Sequence, residues 1–309
     1  MRLATIDIGT NTVLMLVAER SADGALSAIE EHATITRLGE GVDRTRALGE
    51  DAIARTTACL DQYAETLSRL RIRDVVVVGT SAMRDARGGE KIRDHVRAKF
   101  GVEARVISGD EEARLTFSGA LSGLDYADAS GEIAVFDIGG GSTEVVRGTL
   151  AGAGEAKIAY AHSFDVGSVR MTERHMKSDP PSAAEFTAVT HDARSVLASL
   201  APLAAGQVPV GIAGTMTTLA AVSMRMETYD GAAVHGYAMT TRDLRDIVQK
   251  LASMPLARRR EVPGLEPKRA DVVVAGGWIA LAVLEQMRAE SFVVSDRGVR
   301  WGLAVAFGK

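Results

Sequence analysis

An α/β fold built from two related halves is predicted by three features of this 309-residue sequence. Leu3 to Val17 and Ala134 to Val146 share one pattern: apolar strand, Asp-Ile-Gly, small polar residues, second strand. Short apolar runs such as Val75 to Val78 alternate with stretches of helical periodicity. The length also exceeds the ~100–200 residues of a typical domain, leaving room for two.

The second copy of the pattern is chemically the richer. In Ala134-Val135-Phe136-Asp137-Ile138-Gly139-Gly140-Gly141-Ser142-Thr143-Glu144-Val145-Val146, a strand ends in a carboxylate and three glycines follow. Consecutive glycines let backbone N–H groups converge with no Cβ in the way, which makes a nest for phosphate oxygens. Asp137 and Glu144 flank the loop, spaced to hold a hard divalent cation that a phosphate could also ligate. The residues after the loop are β-branched, whereas a P-loop or a dinucleotide-binding turn feeds a helix, and no Gly-Lys-Ser/Thr occurs here. A plain glycine hairpin between core strands is the alternative. In the first copy, Asp7 precedes the turn Gly9-Thr10-Asn11-Thr12, so Asp7 and Asp137 could face one another across a cleft. Asp7 as an ordinary turn aspartate is the competing reading.

Along the chain, Ile53, Leu60, Ala64, Leu67 and Leu70 recur at helical spacing and predict an amphipathic helix over Glu50 to Leu70. Val75 to Val78 is a buried strand that ends in Gly79-Thr80-Ser81-Ala82-Met83-Arg84-Asp85. Ligands gather at strand ends in α/β folds, so Arg84 could donate to a phosphate; otherwise it is a surface arginine pairing Asp85. Val102 to Ile107 reads as another strand. Ser108 and Glu111 then have capping-box spacing. The acids Asp110, Glu111 and Glu112 suit the first turn of a helix through its dipole alone, or Glu112 orients a water. Gly119 to Gly131 is the expected boundary, giving one domain of residues 1–123, joined by the C-terminal segment 297–309, and a second of residues 124–296.

Beyond it, Ala151-Gly152-Ala153-Gly154 is a turn, His162 to Arg170 follows a strand, and Pro180-Pro181-Ser182 precedes a helix to about Leu200. Val208 to Thr215 is a strand entering a small-residue turn, where the amides of Gly214 and Thr215 could form a further phosphate site. Val234-His235-Gly236 lies in a loop, and a lone histidine there is more often structural than catalytic. Arg258-Arg259-Arg260 and Lys268-Arg269 concentrate positive charge, as a solvated face or as a guide for a polyanion. Phe292 to Ser295 is a late strand, and the short apolar tail after Arg300 packs back on the first domain.

The net charge of −4 gives no general attraction to nucleic acid, so any polyanion must meet a local basic patch. One cysteine, Cys59, excludes an intrachain disulfide and suits a reducing cytoplasm. A first strand starting almost at Met1 leaves no room for a signal peptide, and the run Val272 to Leu284 is too short and glycine-interrupted to span a membrane.

With these pieces placed, the chain resembles the exopolyphosphatase / guanosine pentaphosphate phosphohydrolase family of the actin–Hsp70–sugar kinase superfold. The resemblance is carried by Asp7 to Thr12, Thr80 to Ala86, Ile107 to Leu115, Asp137 to Glu144, Val234 to Gly236 and Gly264 to Asp271. It implies two ribonuclease-H-like domains with the active site in the cleft between them. The family's catalytic glutamate falls on Glu112, with Arg84 as a phosphate clamp. Its metal-binding acids fall on Asp137 and Glu144, with Asp7 as a further candidate. Its phosphate-contacting turns fall on Gly9, Thr10 and Asn11, on Gly139, Gly140, Gly141 and Ser142, and on Gly214 and Thr215. Arg300-Trp301-Gly302 departs from the family's Arg-Glu-Gly, which removes the expected polar group at position 301. The long family members' extra C-terminal helical domains have no counterpart, so the chain is similar to the short subtype.

The expected activity is hydrolysis of the terminal phosphoanhydride of inorganic polyphosphate, with shorter chains favoured. Mg2+ is the expected cofactor, with K+ as a further candidate ion, and the family resemblance implies a homodimer. Release of a phosphate from pppGpp or a nucleoside triphosphate is the alternative reaction. A non-hydrolysing sensor of such polyanions and an actin-like polymerising ATPase are the readings outside it.

Overall fold

A computed structural model describes residues 1–22, 24–124, 132–151, 155–204 and 207–307. The chain divides into two compact units, Met1–Gly119 with Val299–Lys309, and Ala120–Gly298.

The first unit is organised by one mixed sheet. Its strands are β1 (Arg2–Ile8), β2 (Thr12–Arg20), β3 (Leu26–Ile35), β4 (Val75–Gly79) and β5 (Ala104–Val106), in the order β3-β2-β1-β4-β5. β1, β2 and β3 form an antiparallel meander, while β4 and β5 run parallel to β1. The second sheet contains β6 (Ile133–Ile138), β7 (Thr143–Ala151), β8 (Glu155–Phe164), β9 (Val208–Ile212), β10 (Tyr237–Thr240) and β11 (Ser291–Val294). Its order is β10-β11-β9-β6-β7-β8, with β6-β7-β8 antiparallel and β9 and β11 parallel to the β6 direction. Read outward from β6, this repeats the first sheet and adds one edge strand. The duplication suggested by two Asp-Ile-Gly segments is thus present in the strand order.

Local chemistry explains most elements. The helix Glu50–Leu70 has the expected limits and buries Ile53, Leu60 and Leu67 against the first sheet's core. It stops where Arg71 turns left-handed at φ 56 and Ile72 N–H reaches back to the Leu67 carbonyl. The apolar run from Val272 becomes the helix Val273–Met287, buried nearly all round at the centre of the second unit. Its two glycines permit that packing. A methyl group on Gly276 would lie 2.6 Å from Thr215 Cγ2, and one on Gly277 would lie 2.4 Å from Val248 Cγ2. No helix among the described residues is long and apolar enough to cross a membrane.

Several expectations are corrected. The strand predicted over Val102 to Ile107 is only Ala104–Val106. Gly119 lies inside the helix Gly109–Leu121, so the polar connection starts later; residues 125–131 of it, and 152–154 of the Ala151–Gly154 turn, lie outside the described residues. Gly214 and Thr215 belong to the first turn of a helix, Ala213–Ser223, rather than to an open turn. His235 follows a helical turn, Gly231–Val234, capped by Asp230, and its Nδ1 lies 3.2 Å from Ser295 Oγ.

At the tail, the helix Val299–Ala306 belongs to the first unit. Thr5 Oγ1 donates to the Arg300 carbonyl at 2.7 Å, and Arg300 donates to Glu31 Oε2 from Nε and Nη2 at 3.0 and 2.8 Å. Trp301 is buried against Leu3, Leu16 and Ala18 and gives its indole N–H to the same Glu31 oxygen at 3.3 Å. An apolar residue with one donor therefore fills the position where the resemblance implies a carboxylate.

The basic segment is not one solvated face. Arg258 pairs with Glu261, but Arg259 is only 2% exposed and donates to three carbonyls, those of Leu251, Ala270 and Met254 at 2.9, 2.7 and 2.8 Å. Burial lowers its pKa from the usual arginine value. Arg259→Met should therefore leave three carbonyls short of a donor and cost about 3 kcal/mol, read from urea unfolding. A change below about 0.5 kcal/mol would contradict this anchoring role.

Candidate functional site

The same hairpin is built twice. In the first unit, Gly9 N–H donates to the Thr12 carbonyl at 3.1 Å; in the second, Gly139 N–H donates to the Ser142 carbonyl at 3.0 Å. Asp7 and Asp137 each sit one residue before the strand ends, opposite Leu14 and Glu144 respectively.

The loop carbonyls are tied down in both copies. Gly39 N–H donates to the Thr10 carbonyl at 2.8 Å, and Thr36 and Arg37 N–H groups donate to the Asn11 carbonyl at 3.1 and 3.0 Å. In the second unit, Ser168 N–H holds the Gly139 carbonyl at 2.9 Å, and Val169 and Arg170 N–H groups hold that of Gly140 at 2.9 and 3.1 Å. Arg170 Nε donates to the Gly141 carbonyl at 2.6 Å. Among the described residues, the backbone amides of Thr10, Asn11, Gly140 and Gly141 donate to no backbone carbonyl. Carbonyls turned into the protein and amides turned out of it are the arrangement of an anion nest.

Around the first hairpin, the carboxyl ends of parallel strands converge. Thr80 N–H donates to the Ile8 carbonyl at 3.2 Å, and Ile107 N–H to the Gly79 carbonyl at 3.1 Å. These bonds set the short helix Ser81–Asp85 and the helix Gly109–Leu121 beside the loop. The result joins two residues that are distant in sequence. Arg84 Nη1 donates to Glu112 Oε2 at 2.9 Å and to the Ile107 carbonyl at 3.2 Å, with Arg84 Nε 3.6 Å from Asp85 Oδ1. Glu112 is 7% exposed, so the guanidinium compensates a carboxylate with little access to water. Ser108 Oγ caps this helix by accepting from Glu111 N–H at 3.1 Å. On the hairpin itself, Thr10 Oγ1 and both polar atoms of the Asn11 side chain are buried with no hydrogen-bond partner among the described residues. Buried polar atoms are rarely left so, and three of them on one loop suit a ligand that accepts and donates hydrogen bonds.

The second unit gathers a different set. Asp137 and Glu144 are cross-strand partners, which puts both side chains on one face of the sheet. Glu144 is 1% exposed and accepts from Ser163 Oγ at 2.6 Å. Thr215 Oγ1 donates to the Ile138 carbonyl at 3.1 Å, bringing the start of the helix Ala213–Ser223 beside the loop. Ala213 enters that helix at φ 65, a conformation that a non-glycine residue adopts only at a cost. Among the described residues, no group of three or more His, Cys, Asp or Glu side chains is placed to hold a metal ion by itself. Two oxygen-donor carboxylates side by side still fit a hard cation such as Mg2+, which commonly takes one or two carboxylates and completes its shell with phosphate oxygens and water.

Sequence reasoning gave Ser168 and Arg170 no site role and read Arg269 only as part of a basic segment that could guide a polyanion. Ser168 and Arg170 hold the glycine loop, and the Arg269 guanidinium packs so closely on Gly214 that a methyl group there would lie 2.0 Å from Nη1. Gly167-Ser168 after a strand resembles the Gly-Thr signal at 214–215 and could have pointed to the first two. Arg269 is hidden within a basic run.

The Ppx/GppA phosphatase family profile matches residues 16–307. Exopolyphosphatase 2 of Mycobacterium tuberculosis is 36% identical over 320 residues, covering 99% of this chain and 98% of that protein. A guanosine-5′-triphosphate,3′-diphosphate pyrophosphatase of Vibrio atlanticus is 30% identical over 305 residues, covering 97% of this chain and 58% of that protein. The crystal structure of an exopolyphosphatase-like protein, 31% identical, superposes with a TM-score of 0.92 over 100% of this chain and 99% of that one.

The loop's support is sterically exacting. A methyl group on Gly167 would lie 2.5 Å from the Gly140 oxygen, whereas one on Gly139 would lie 3.2 Å from the Ser142 oxygen. Gly167→Ala is expected to destabilise the protein by about 1–3 kcal/mol in urea unfolding, and Gly139→Ala by clearly less. Equal losses would show that the loop yields freely.

Proposed function

This chain belongs to the Ppx/GppA phosphatase family, and on that premise we propose that it hydrolyses the terminal phosphoanhydride of inorganic polyphosphate, releasing orthophosphate. The observation that carries the reading is the 36% identity to an exopolyphosphatase along 99% of this chain and 98% of that protein. The two hairpin nests and the Arg84–Glu112 pair support it chemically.

In this mechanism the amides of Thr10, Asn11, Gly140 and Gly141, with Ser142, Gly214 and Thr215, take the anionic oxygens. Asp137 and Glu144 would hold Mg2+, which when bound neutralises charge on the phosphate oxygens. Glu112 orients the attacking water and accepts its proton. The water oxygen bonds to the terminal phosphorus, and the bridging P–O bond breaks. The bridging oxygen stays with the shortened chain, and orthophosphate leaves. Arg84 fixes the Glu112 carboxylate and shares its remaining donors with the terminal phosphate. Phosphoryl-transfer transition states are loose, so this positioning matters more than the strength of the base. A homodimer in the cytoplasm belongs to the same proposal, and a single buried cysteine suits a reducing compartment.

A second reading, removal of the 5′-terminal phosphate of a guanosine pentaphosphate, is favoured by the 30% identity to the Vibrio enzyme.

Glu112→Gln preserves shape and an acceptor for Arg84. It should lower kcat by about a hundredfold or more while polyphosphate Kd moves less than about threefold. Turnover within about threefold of the parent would overturn the role of Glu112. Phosphate release with Mg2+ from tripolyphosphate, long polyphosphate, pppGpp and ATP, at equal terminal-phosphate concentration, should be fastest for a polyphosphate and cease on chelation. Release from pppGpp alone would transfer the assignment to the second reading.

A further inference from the structure

We propose that Arg46 and Arg87, with Arg44 beside them, form a subsite for phosphates lying beyond the cleaved anhydride, so that the first unit senses chain length. This rests on the reading of inorganic polyphosphate as substrate.

The backbone ties the two segments together, with Arg87 opposite Ala47 and one position from Arg46. Arg87 N–H donates to the Arg46 carbonyl at 3.0 Å and Leu48 N–H to the Arg87 carbonyl at 2.9 Å, around a parallel bridge between Ala47 and Arg87. Gly88 follows at φ 99, a left-handed conformation that side-chain-bearing residues rarely adopt, and so sets the turn by which the chain leaves Arg87. Both segments lead directly to the candidate site. Arg84, which holds Glu112, lies three residues before Arg87. The other segment passes from Arg44 back to Gly39 and Arg37, whose amides hold the carbonyls of Thr10 and Asn11.

Arg44, Arg46 and Arg87 are exposed, and none forms an ion pair among the described residues. Nearby carboxylates are occupied elsewhere. Glu40 pairs with Arg55 at 2.7 Å and Glu50 with Lys91 at 2.5 Å, while Asp85 accepts from Ser81 Oγ at 3.2 Å and faces Arg84. Asp43 also has a partner, and Asp51 and Glu90 sit in first turns of helices, where the dipole favours them. Three exposed guanidinium groups, without an ion pair among the described residues, therefore lie on the two segments that lead to the first hairpin, in a protein whose net charge of −4 gives polyanions no general attraction. Guanidinium forks suit phosphate oxygens, and each phosphate added to a linear chain adds a negative charge for the next fork.

The test compares kcat/KM for a medium-length polyphosphate with that for tripolyphosphate, in the parent, in an R46Q/R87Q variant and in an R71Q/R73Q control. Arg71 and Arg73 are exposed too, but they precede β4 at the opposite end of that strand. The ratio should fall about tenfold in R46Q/R87Q only, and the parent's ratio should fall as salt is raised. An unchanged ratio, or an equal fall in the control, overturns the subsite. Fluorescence anisotropy of a labelled medium-length chain, with chelator present and no turnover, should show the same tenfold weakening. A parent that binds this chain but releases no phosphate from it would defeat the proposed reaction without touching the subsite. A loss confined to pppGpp would overturn the assignment to an inorganic chain.

Discussion

The site depends on where a few backbone carbonyls point. In each hairpin one short bond, Gly9 to Thr12 or Gly139 to Ser142, closes a four-residue loop. Neighbouring N–H groups from 36–39 or 168–170 then hold the loop carbonyls from behind. A peptide whose carbonyl is fixed inward presents its N–H outward, and the tethers are backbone amides except at Gly141, where the Arg170 guanidinium holds the carbonyl. The glycines contribute by allowing another chain to come close. Gly167 lies against the backbone of Gly140 and Gly141, and no side chain fits between them.

Around this shared frame the two units diverge in chemistry. The position opposite the hairpin aspartate is Leu14 in one and Glu144 in the other, and that single difference gives the second unit its carboxylate pair. The first unit instead draws Arg84 and Glu112 together from two different strand ends. The duplicated frame thus carries two carboxylates on one copy and a part-buried carboxylate–guanidinium pair on the other.

The tail shows how a family pattern can be met by other means. Glu31 on β3 accepts from both Arg300 and Trp301, so the helix Val299–Ala306 is fastened to the first sheet by one acceptor. Burial of Trp301 against Leu3 and Leu16 adds the apolar share.

Much of the frame was legible in the amino-acid sequence, because its causes are local. Period and composition placed the helix Glu50–Leu70, the strand at Val75 and both hairpins, and order of motifs placed the family. Other features depend on contacts between distant segments. Arg259 stands in a run of three arginines that reads as solvated surface, yet the fold buries it under three carbonyls. Gly214 and Thr215 read as a turn, yet they open a helix whose Thr215 packs against Ile138 and the helix Val273–Met287. The pairing of Arg84 with Glu112 spans 28 residues and follows from the parallel register of β1, β4 and β5. By itself the sequence determined which residues carry charge, glycine freedom and strand pattern, since those are properties of short stretches. Tertiary structure alone decided which charges are buried, which are paired and which remain exposed, because those are set by neighbours that chain order does not name.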